Sequence, residues 1–127
     1  FFNQLINSGK MRMFEGSDSF RRDFIYVLDI VKLNLYFYES KISGIFNSGT
    51  GKARSFHEIA KIMKNLNGGG EIEEFPFPDD LKGKYQEFTE ADLINLRKSG
   101  YNKDFFSLED GLGQYFDLLT KNDGFYI

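Results

Sequence analysis

Two short basic segments have residue types that could bind an anion. Arg21 and Arg22 follow a turn-forming stretch at residues 15–19, whose Gly and Ser can present backbone N–H groups and hydroxyls. A guanidinium binds a diphosphate through two parallel hydrogen bonds, and each charged hydrogen bond contributes about 1.5–3 kcal/mol of binding free energy. The second segment, residues 82–85, reads Lys-Gly-Lys-Tyr. Both patterns are also common on solvated surfaces, so these residues alone leave both interpretations open.

The glycine-rich stretches do not match a nucleotide-binding loop. Residues 49–54 begin like the Gly-x-Gly-x-x-Gly dinucleotide motif but end in Arg54. They also fail as a phosphate-binding P-loop, because Phe46 occupies the first glycine position and Ala53 replaces the Ser or Thr that holds magnesium. We therefore interpret them as turns and predict no cofactor-binding residue in this sequence.

No catalytic arrangement is visible either. Short-chain dehydrogenases use a Tyr followed four residues later by a Lys that lowers the phenol pKa. None of the tyrosines has Lys at that distance, and Tyr126 lies too near the end. The single histidine, His57, falls in a helix-capping sequence and is expected on a helix surface. We predict no catalytic residue.

Composition narrows the class of protein. The 127 residues fit one domain, and 41% apolar residues, including 15 Phe, can form a core. A formal net charge of -3 gives no basis for binding nucleic acid or an anionic membrane. Cysteine is absent and only one His is present, which argues against disulfides and a metal site. Apolar runs are too short to span a bilayer, and no signal-peptide pattern is present, so we expect a cytoplasmic protein.

The predicted elements alternate between short strands and helices. Asp29 is expected to N-cap a helix over residues 30–39, and Ser55 and Glu58 form a capping box. Further helices are expected after Thr89 and Ser107, and strands at residues 10–14, 44–47 and 71–75. Residues 1–7 read as the last turns of a helix, so we expect that an upstream part of the protein precedes them. The alternation predicts an α/β fold with a thin sheet.

The order of these segments resembles the C-terminal region of ADP-glycero-manno-heptose 6-epimerases, which are extended short-chain dehydrogenases. The resemblance covers nearly the whole chain. Two of its segments, the Arg-Asp-Phe and Asn-x-Gly-Thr-Gly sequences, are widespread in the superfamily, whereas Phe-Glu-Gly-Ser and Leu-Lys-Gly-Lys-Tyr-Gln are more particular to this epimerase. The matching segments are Phe14-Glu15-Gly16-Ser17, Phe20-x-Arg22-Asp23-Phe24-x-Tyr26-Val27, Gly44-Ile45-Phe46-Asn47-x-Gly49-Thr50-Gly51, Pro76-Phe77-Pro78-x-x-Leu81-Lys82-Gly83-Lys84-Tyr85-Gln86 and Thr89-x-Ala91-Asp92-Leu93.

The resemblance implies a fold, an activity and a set of contacts. The fold would be the C-terminal, substrate-binding portion of a protein whose N-terminal Rossmann-type half binds NADP and carries the catalytic Tyr and Lys. The enzyme would invert C6 of the heptose in ADP-glycero-manno-heptose by transient oxidation and hydride return, for lipopolysaccharide core synthesis, and would form a homo-oligomer. Arg22 would bind the diphosphate. The residues implied to contact the ADP-heptose substrate are Phe14, Glu15, Gly16, Ser17, Arg22 and Tyr85.

Two other functions remain open at this stage. A related epimerase or dehydratase of the same superfamily would share the fold but prefer another nucleotide-sugar. A nucleotide-sugar-binding module without chemistry would lack the cofactor half altogether. The fragment by itself is expected to be inactive in either of the enzymatic cases.

Overall fold

The computed structural model describes residues 1–124, which fold as an α/β unit of five α-helices and four short strands. In chain order the elements are α1 (Phe2–Ser8), β1 (Lys10–Phe14), β2 (Arg21–Arg22), α2 (Val27–Ser40), β3 (Arg54–Ser55), α3 (Phe56–Leu66), β4 (Glu71–Phe75), a short 3-10 helix (Asp79–Leu81), α4 (Ile94–Lys98) and α5 (Leu108–Lys121). No helix within this described part is long and apolar enough to cross a membrane.

The strands form two small sheets rather than one. β1 and β4 pair in parallel, from Lys10 opposite Glu71 to Phe14 opposite Phe75. β2 and β3 pair in antiparallel fashion through two residues each. Residues 87–89 extend the second sheet, since the backbone N–H of Arg21 donates to Glu87 and the carbonyl of Arg21 accepts from Thr89. The predicted strands at residues 10–14 and 71–75 are confirmed.

Two apolar clusters form the core. The first joins α1, the β1–β4 sheet, α3 and α5, and the second joins α2 to α4 and the segment that follows α4. Burial of these side chains supplies the main stabilising free energy. The buried residues of the first cluster are Leu5, Met11, Met13, Ala60, Met63 and Phe116, and those of the second are Leu33, Leu96 and Tyr101.

Helix starts that depend on local capping agree with the sequence predictions. The Ser55 hydroxyl accepts from the Glu58 backbone N–H while the Glu58 carboxylate accepts from the Ser55 N–H, which completes the predicted capping box. The Ser107 hydroxyl accepts from the backbone N–H of Asp110 at the start of α5. These caps satisfy amides that have no partner inside the helix.

Three predicted details are wrong. Asp29 lies inside the first turn of α2 instead of capping it, because its buried carboxylate accepts from the Phe106 backbone N–H at 2.7 Å. Residues 44–47 form no strand, and Ile45 is 95% exposed. The helix expected after Thr89 begins only at Ile94, because Thr89 is held by backbone pairing with β2.

Candidate nucleotide-binding site

The register of the parallel sheet places two phenylalanines side by side at its carboxyl end. Phe14 ends β1 and lies opposite Phe75, which ends β4, with ring centroids 4.9 Å apart. Phe77 follows Phe75 between two prolines that stop the strand, and its ring lies 5.1 Å from that of Phe14. The end of the sheet therefore presents a group of aromatic rings.

Two further rings come from loops and enlarge this group. Phe20, just before β2, lies 5.2 Å from Phe77 and 4.9 Å from Tyr85. Tyr85 follows the short 3-10 helix and also contacts Phe77. We refer to Phe14, Phe20, Phe75, Phe77 and Tyr85 as the aromatic cluster. Aromatic rings contact a planar group such as a nucleobase either by offset stacking or by edge-to-face packing.

A cavity of about 270 Å³ lies against the aromatic cluster. Its volume is near the lower end of the range found for small-molecule sites. Three of the six residues implied to contact the substrate line it, namely Phe14, Ser17 and Tyr85. The remaining lining residues are Phe1, Arg12, Met13, Phe20, Phe56 and Phe75.

Arg22 lies at the edge of this cluster. Its guanidinium carbon is 5.3 Å from the centroid of the Tyr85 ring, which is a cation–π arrangement. One of its N–H groups donates to the Arg21 carbonyl at 2.9 Å. No carboxylate within residues 1–124 forms an ion pair with Arg22. The guanidinium charge is therefore available to an external anion.

The predicted turn at residues 15–19 is present, but most of its polar groups are committed within the protein. The Glu15 backbone N–H donates to Phe75, and that of Ser17 donates to Phe14. The Ser17 hydroxyl donates to the sulfur of Met13 at 3.0 Å, and Ser17 is only 3% exposed. Gly16 adopts a φ of 75°, which favours glycine. Glu15 and Gly16 do not line the cavity, so the turn shapes the site more than it supplies ligands.

Asp23 holds the segment that carries Arg22. One carboxylate oxygen of Asp23 accepts from the backbone N–H and the hydroxyl of Thr50, at 2.7 and 2.6 Å. The other accepts from the backbone N–H groups of Gly51 and Ala91, at 2.8 and 3.0 Å. Burial alone would raise the pKa of Asp23, but these hydrogen bonds outweigh it and hold the pKa below its ordinary value. Asp23 thus joins three loops at one point.

The same contacts explain why residues 49–54 do not fit the phosphates of a dinucleotide. The amides of Thr50 and Gly51, which would have to face a phosphate, donate to the Asp23 carboxylate instead. A side chain at Gly49 would collide with that carboxylate and with Ala91. Within residues 1–124 this loop therefore fits a structural role and not a cofactor site. The described chain also contains no group of three or more acidic or histidine side chains placed to hold a metal ion.

A larger cavity, of about 340 Å³, lies elsewhere and contains none of the six implied contact residues. It is an apolar space between the segment before α2 and helices α3 and α5. Its lining residues are Phe24, Ile25, Tyr26, Val27, Ile59, Phe106, Ser107, Leu108, Gly111, Leu112 and Tyr115. Because it is lined almost wholly by apolar side chains and carries no basic group, it does not fit a nucleotide.

No protein-family model matches this chain, but solved structures do. The ADP-L-glycero-D-manno-heptose-6-epimerase of Helicobacter pylori superimposes with a TM-score of 0.81 at 23% identity, over 94% of this chain and 36% of that one. A UDP-N-acetylglucosamine 4-epimerase from Methanobrevibacter ruminantium gives 0.80 at 20% identity, over 95% and 38%. A dTDP-glucose 4,6-dehydratase from Bacillus anthracis gives 0.80 at 15% identity, over 98% and 39%.

This chain shares the α/β fold of a part of each of these epimerases and dehydratases. The predicted α/β fold class is thereby confirmed, and the described residues form five α-helices and a few short strands. The neighbours are named as nucleotide-sugar epimerases and dehydratases. This chain spans less than two-fifths of the length of each of them.

Several residues of the site were not predicted as contacts from the sequence. Phe20 and Phe77 stood inside the matching segments but were not singled out, and Phe75 was interpreted only as part of a strand. The parallel register that sets Phe75 beside Phe14 is a tertiary feature. One available signal was the sequence Phe75-Pro76-Phe77-Pro78, in which two prolines alternate with two aromatic residues at the end of a strand.

Proposed function

We propose that this sequence forms the nucleotide-sugar-binding part of an NADP-dependent ADP-glycero-manno-heptose 6-epimerase. The observation that supports the proposal is the aromatic cluster with the Arg22 guanidinium at its edge, which forms no ion pair with a carboxylate of residues 1–124. A group of aromatic rings beside a cation is complementary to a nucleoside diphosphate, which joins a planar base to two phosphates. The Helicobacter pylori epimerase, which shares the fold, is named for an ADP-heptose substrate.

The proposal divides the work between this sequence and the rest of a longer protein. The aromatic cluster and the cavity hold the nucleoside, and Arg22 binds the diphosphate. NADP and the residues that act on C6 lie outside this sequence, because the one candidate glycine loop within residues 49–54 is committed to Asp23. The whole protein is then a homo-oligomeric, cytoplasmic epimerase, and the 127-residue chain alone is inactive.

A second candidate is a related enzyme with a different nucleotide-sugar. The UDP-sugar 4-epimerase and the dTDP-sugar dehydratase superimpose with TM-scores of 0.80, almost the same as the heptose epimerase. The residues that separate these substrates are those that contact the base edge. Binding of ADP, UDP and dTDP to the native protein, measured by calorimetry, distinguishes the two candidates. Preference for ADP by tenfold or more supports the heptose epimerase, and preference for UDP or dTDP supports the second candidate.

Arg22→Ala tests the site itself. In the native protein that contains this sequence, the substitution should weaken binding of the nucleotide-sugar by about 1.5–3 kcal/mol, which is about a 10- to 150-fold rise in Kd. NADP binding, measured on the same samples, should stay nearly unchanged because the cofactor contacts other residues. Unaltered affinity for the nucleotide-sugar would remove Arg22 from the site.

Arg21→Ala is the matched control. Arg21 is the adjacent, exposed arginine of the same strand, and its backbone pairing with residues 87–89 does not need the side chain. The control removes the same charge but not the group beside Tyr85, so it should change Kd by less than about threefold at physiological salt. Equal losses in both variants would indicate a diffuse electrostatic effect and contradict a specific diphosphate contact.

A further inference from the structure

Arg12 lies on the face of β1 that also carries Phe14. Met11 and Met13, on either side of Arg12, are buried in the first core cluster, so the alternation of a strand places Arg12 and Phe14 together on the opposite face. The side chain of Arg12 is 57% exposed, and the residue lines the cavity of about 270 Å³. Arg12 is therefore a second cation beside the aromatic cluster, in addition to Arg22.

The ion pair that Arg12 forms within the protein is long. Lys10 and Glu71 lie opposite each other in the register, and Lys10 Nζ is 2.8 Å from Glu71 Oε2. In the next pair on the same face, Arg12 Nε is 3.6 Å from Glu73 Oε1, which is too far for a hydrogen bond. An ion pair between half-exposed side chains contributes little. No hydrogen bond within residues 1–124 uses the Arg12 guanidinium, so its N–H donors are available to a ligand.

The guanidinium of Arg12 lies over the ring of Phe75, with its carbon 4.9 Å from the ring centroid. Phe75 is two positions closer to the carboxyl end of β4 than Glu73, the residue directly opposite Arg12. The side chain of Arg12 therefore extends along the sheet toward the end where Phe14 and Phe75 meet. It presents its donors at the cavity and not only to Glu73.

The two arginines contact different rings of the aromatic cluster. Arg12 lies over Phe75, and Arg22 lies over Tyr85. No ring contact within residues 1–124 joins Phe75 directly to Tyr85, and other rings of the cluster connect them. In a nucleoside diphosphate the ribose separates the base from the diphosphate. Cations that contact the two ends of such a ligand must lie apart in this way.

We propose that Arg12 contacts the nucleobase and donates a hydrogen bond to a ring nitrogen of adenine, while Arg22 binds the diphosphate. A guanidinium has donors but no acceptor, so it selects a base edge that presents an acceptor. The ring nitrogens of adenine are acceptors of this kind. Arg12 is then a residue that determines the choice of base. The inference rests on the proposed function, because it takes ADP as the nucleotide and Arg22 as its diphosphate contact.

Arg12→Met in the native protein is the first test. Met keeps an unbranched side chain over Phe75 but removes every donor, so the Kd for ADP, measured by calorimetry, should rise about 10-fold or more. Lys10→Met is the matched control, since it removes the same charge from the same face of β1 at a position that does not line the cavity. The control should change the Kd by less than about threefold. Unchanged affinity for ADP in Arg12→Met would overturn the inference, and a lowered Tm with unchanged affinity would assign Arg12 a structural role only.

Analogues of ADP in which one ring nitrogen of adenine is replaced by C–H test the contact itself. The wild type should bind one of these analogues at least ~10-fold more weakly than ADP, because the hydrogen bond from Arg12 is lost. Arg12→Met should bind that analogue and ADP with Kd values within about threefold of each other, because the two changes remove the same interaction. If Arg12→Met instead weakens ADP and every analogue equally, the effect is one of diffuse charge and the inference is wrong.

Arg22→Ala separates this inference from the proposed function. If Arg22→Ala weakens ADP binding and Arg12→Met does not, the contact of Arg12 with the base is refuted while the proposed function stands. A native protein that binds UDP or dTDP in preference to ADP contradicts the proposed function and, with it, the contact with adenine.

Discussion

Replacing Asp23 by Asn is the most informative test of how the site is held. Two hydrogen bonds from Thr50 can remain on the amide oxygen. The amide nitrogen then faces the N–H groups of Gly51 and Ala91, which lose their acceptor. At about 1–2 kcal/mol for each lost charged hydrogen bond in a half-buried position, the free energy of unfolding should fall by about 2–4 kcal/mol.

The assay is urea denaturation of the purified protein at pH 7, followed by far-ultraviolet circular dichroism. Asp117→Asn is the control, because it removes the same charge from an exposed position of α5 and should change stability by less than about 0.5 kcal/mol. If Asp23→Asn is equally neutral, Asp23 does not join the three loops as described.

The pH dependence gives the same prediction an independent check. The pKa of Asp23 is lowered in the folded protein from its ordinary value of 3.8. The carboxylate therefore contributes stability that is fully present above that value and is lost as the pH falls through the lower, folded-state pKa. The stability difference between the wild type and Asp23→Asn should stay constant from pH 7 to about 5 and shrink below about pH 4. A difference that persists unchanged at pH 3 would refute the role of the charge.

Two further substitutions test the local structure by thermal denaturation. Gly49→Ala places a methyl group against the Asp23 carboxylate and 2.6 Å from the Ala91 Cβ, and should cost about 1–3 kcal/mol. Gly113→Ala, whose added methyl meets no atom within 4 Å, should instead be neutral or stabilise α5 by up to about 1 kcal/mol, and a loss there would contradict the reasoning. Ser55→Ala should cost about 1 kcal/mol through loss of the α3 cap, and an unchanged Tm would show that the capping box is dispensable.

The elements that could be predicted from sequence are those decided by nearby residues. The Ser55 capping box and the start of α5 after Ser107 depend on contacts within four positions and were predicted correctly. The cap assigned to Asp29 was wrong because its carboxylate is used by the N–H of Phe106, 77 positions away. No local pattern contains that contact. A carboxylate in the first turn of a helix interacts favourably with the helix dipole whether or not it caps the helix. An Asp at the start of a helical pattern therefore does not identify the capping residue.

Individual residues of the candidate site could be predicted from the sequence, but their spatial arrangement could not. Matching segments indicated Phe14, Arg22 and Tyr85, which the structure brings to one side of the molecule. Phe75 joins them only through the register of a parallel pair whose strands, Lys10–Phe14 and Glu71–Phe75, lie far apart in the sequence. Such pairings depend on the whole fold, so a periodic pattern in one strand cannot specify its partner.

The false prediction of a strand at residues 44–47 is informative for the same reason. An isolated strand is not stable, because its backbone hydrogen bonds need a neighbour. The sequence there has strand character, yet residues 1–124 supply no neighbour. This loop continues directly into Thr50 and Gly51, which bind Asp23, and Asp23 adjoins Arg22. The position of Arg22 therefore depends, through the Asp23 carboxylate, on this loop.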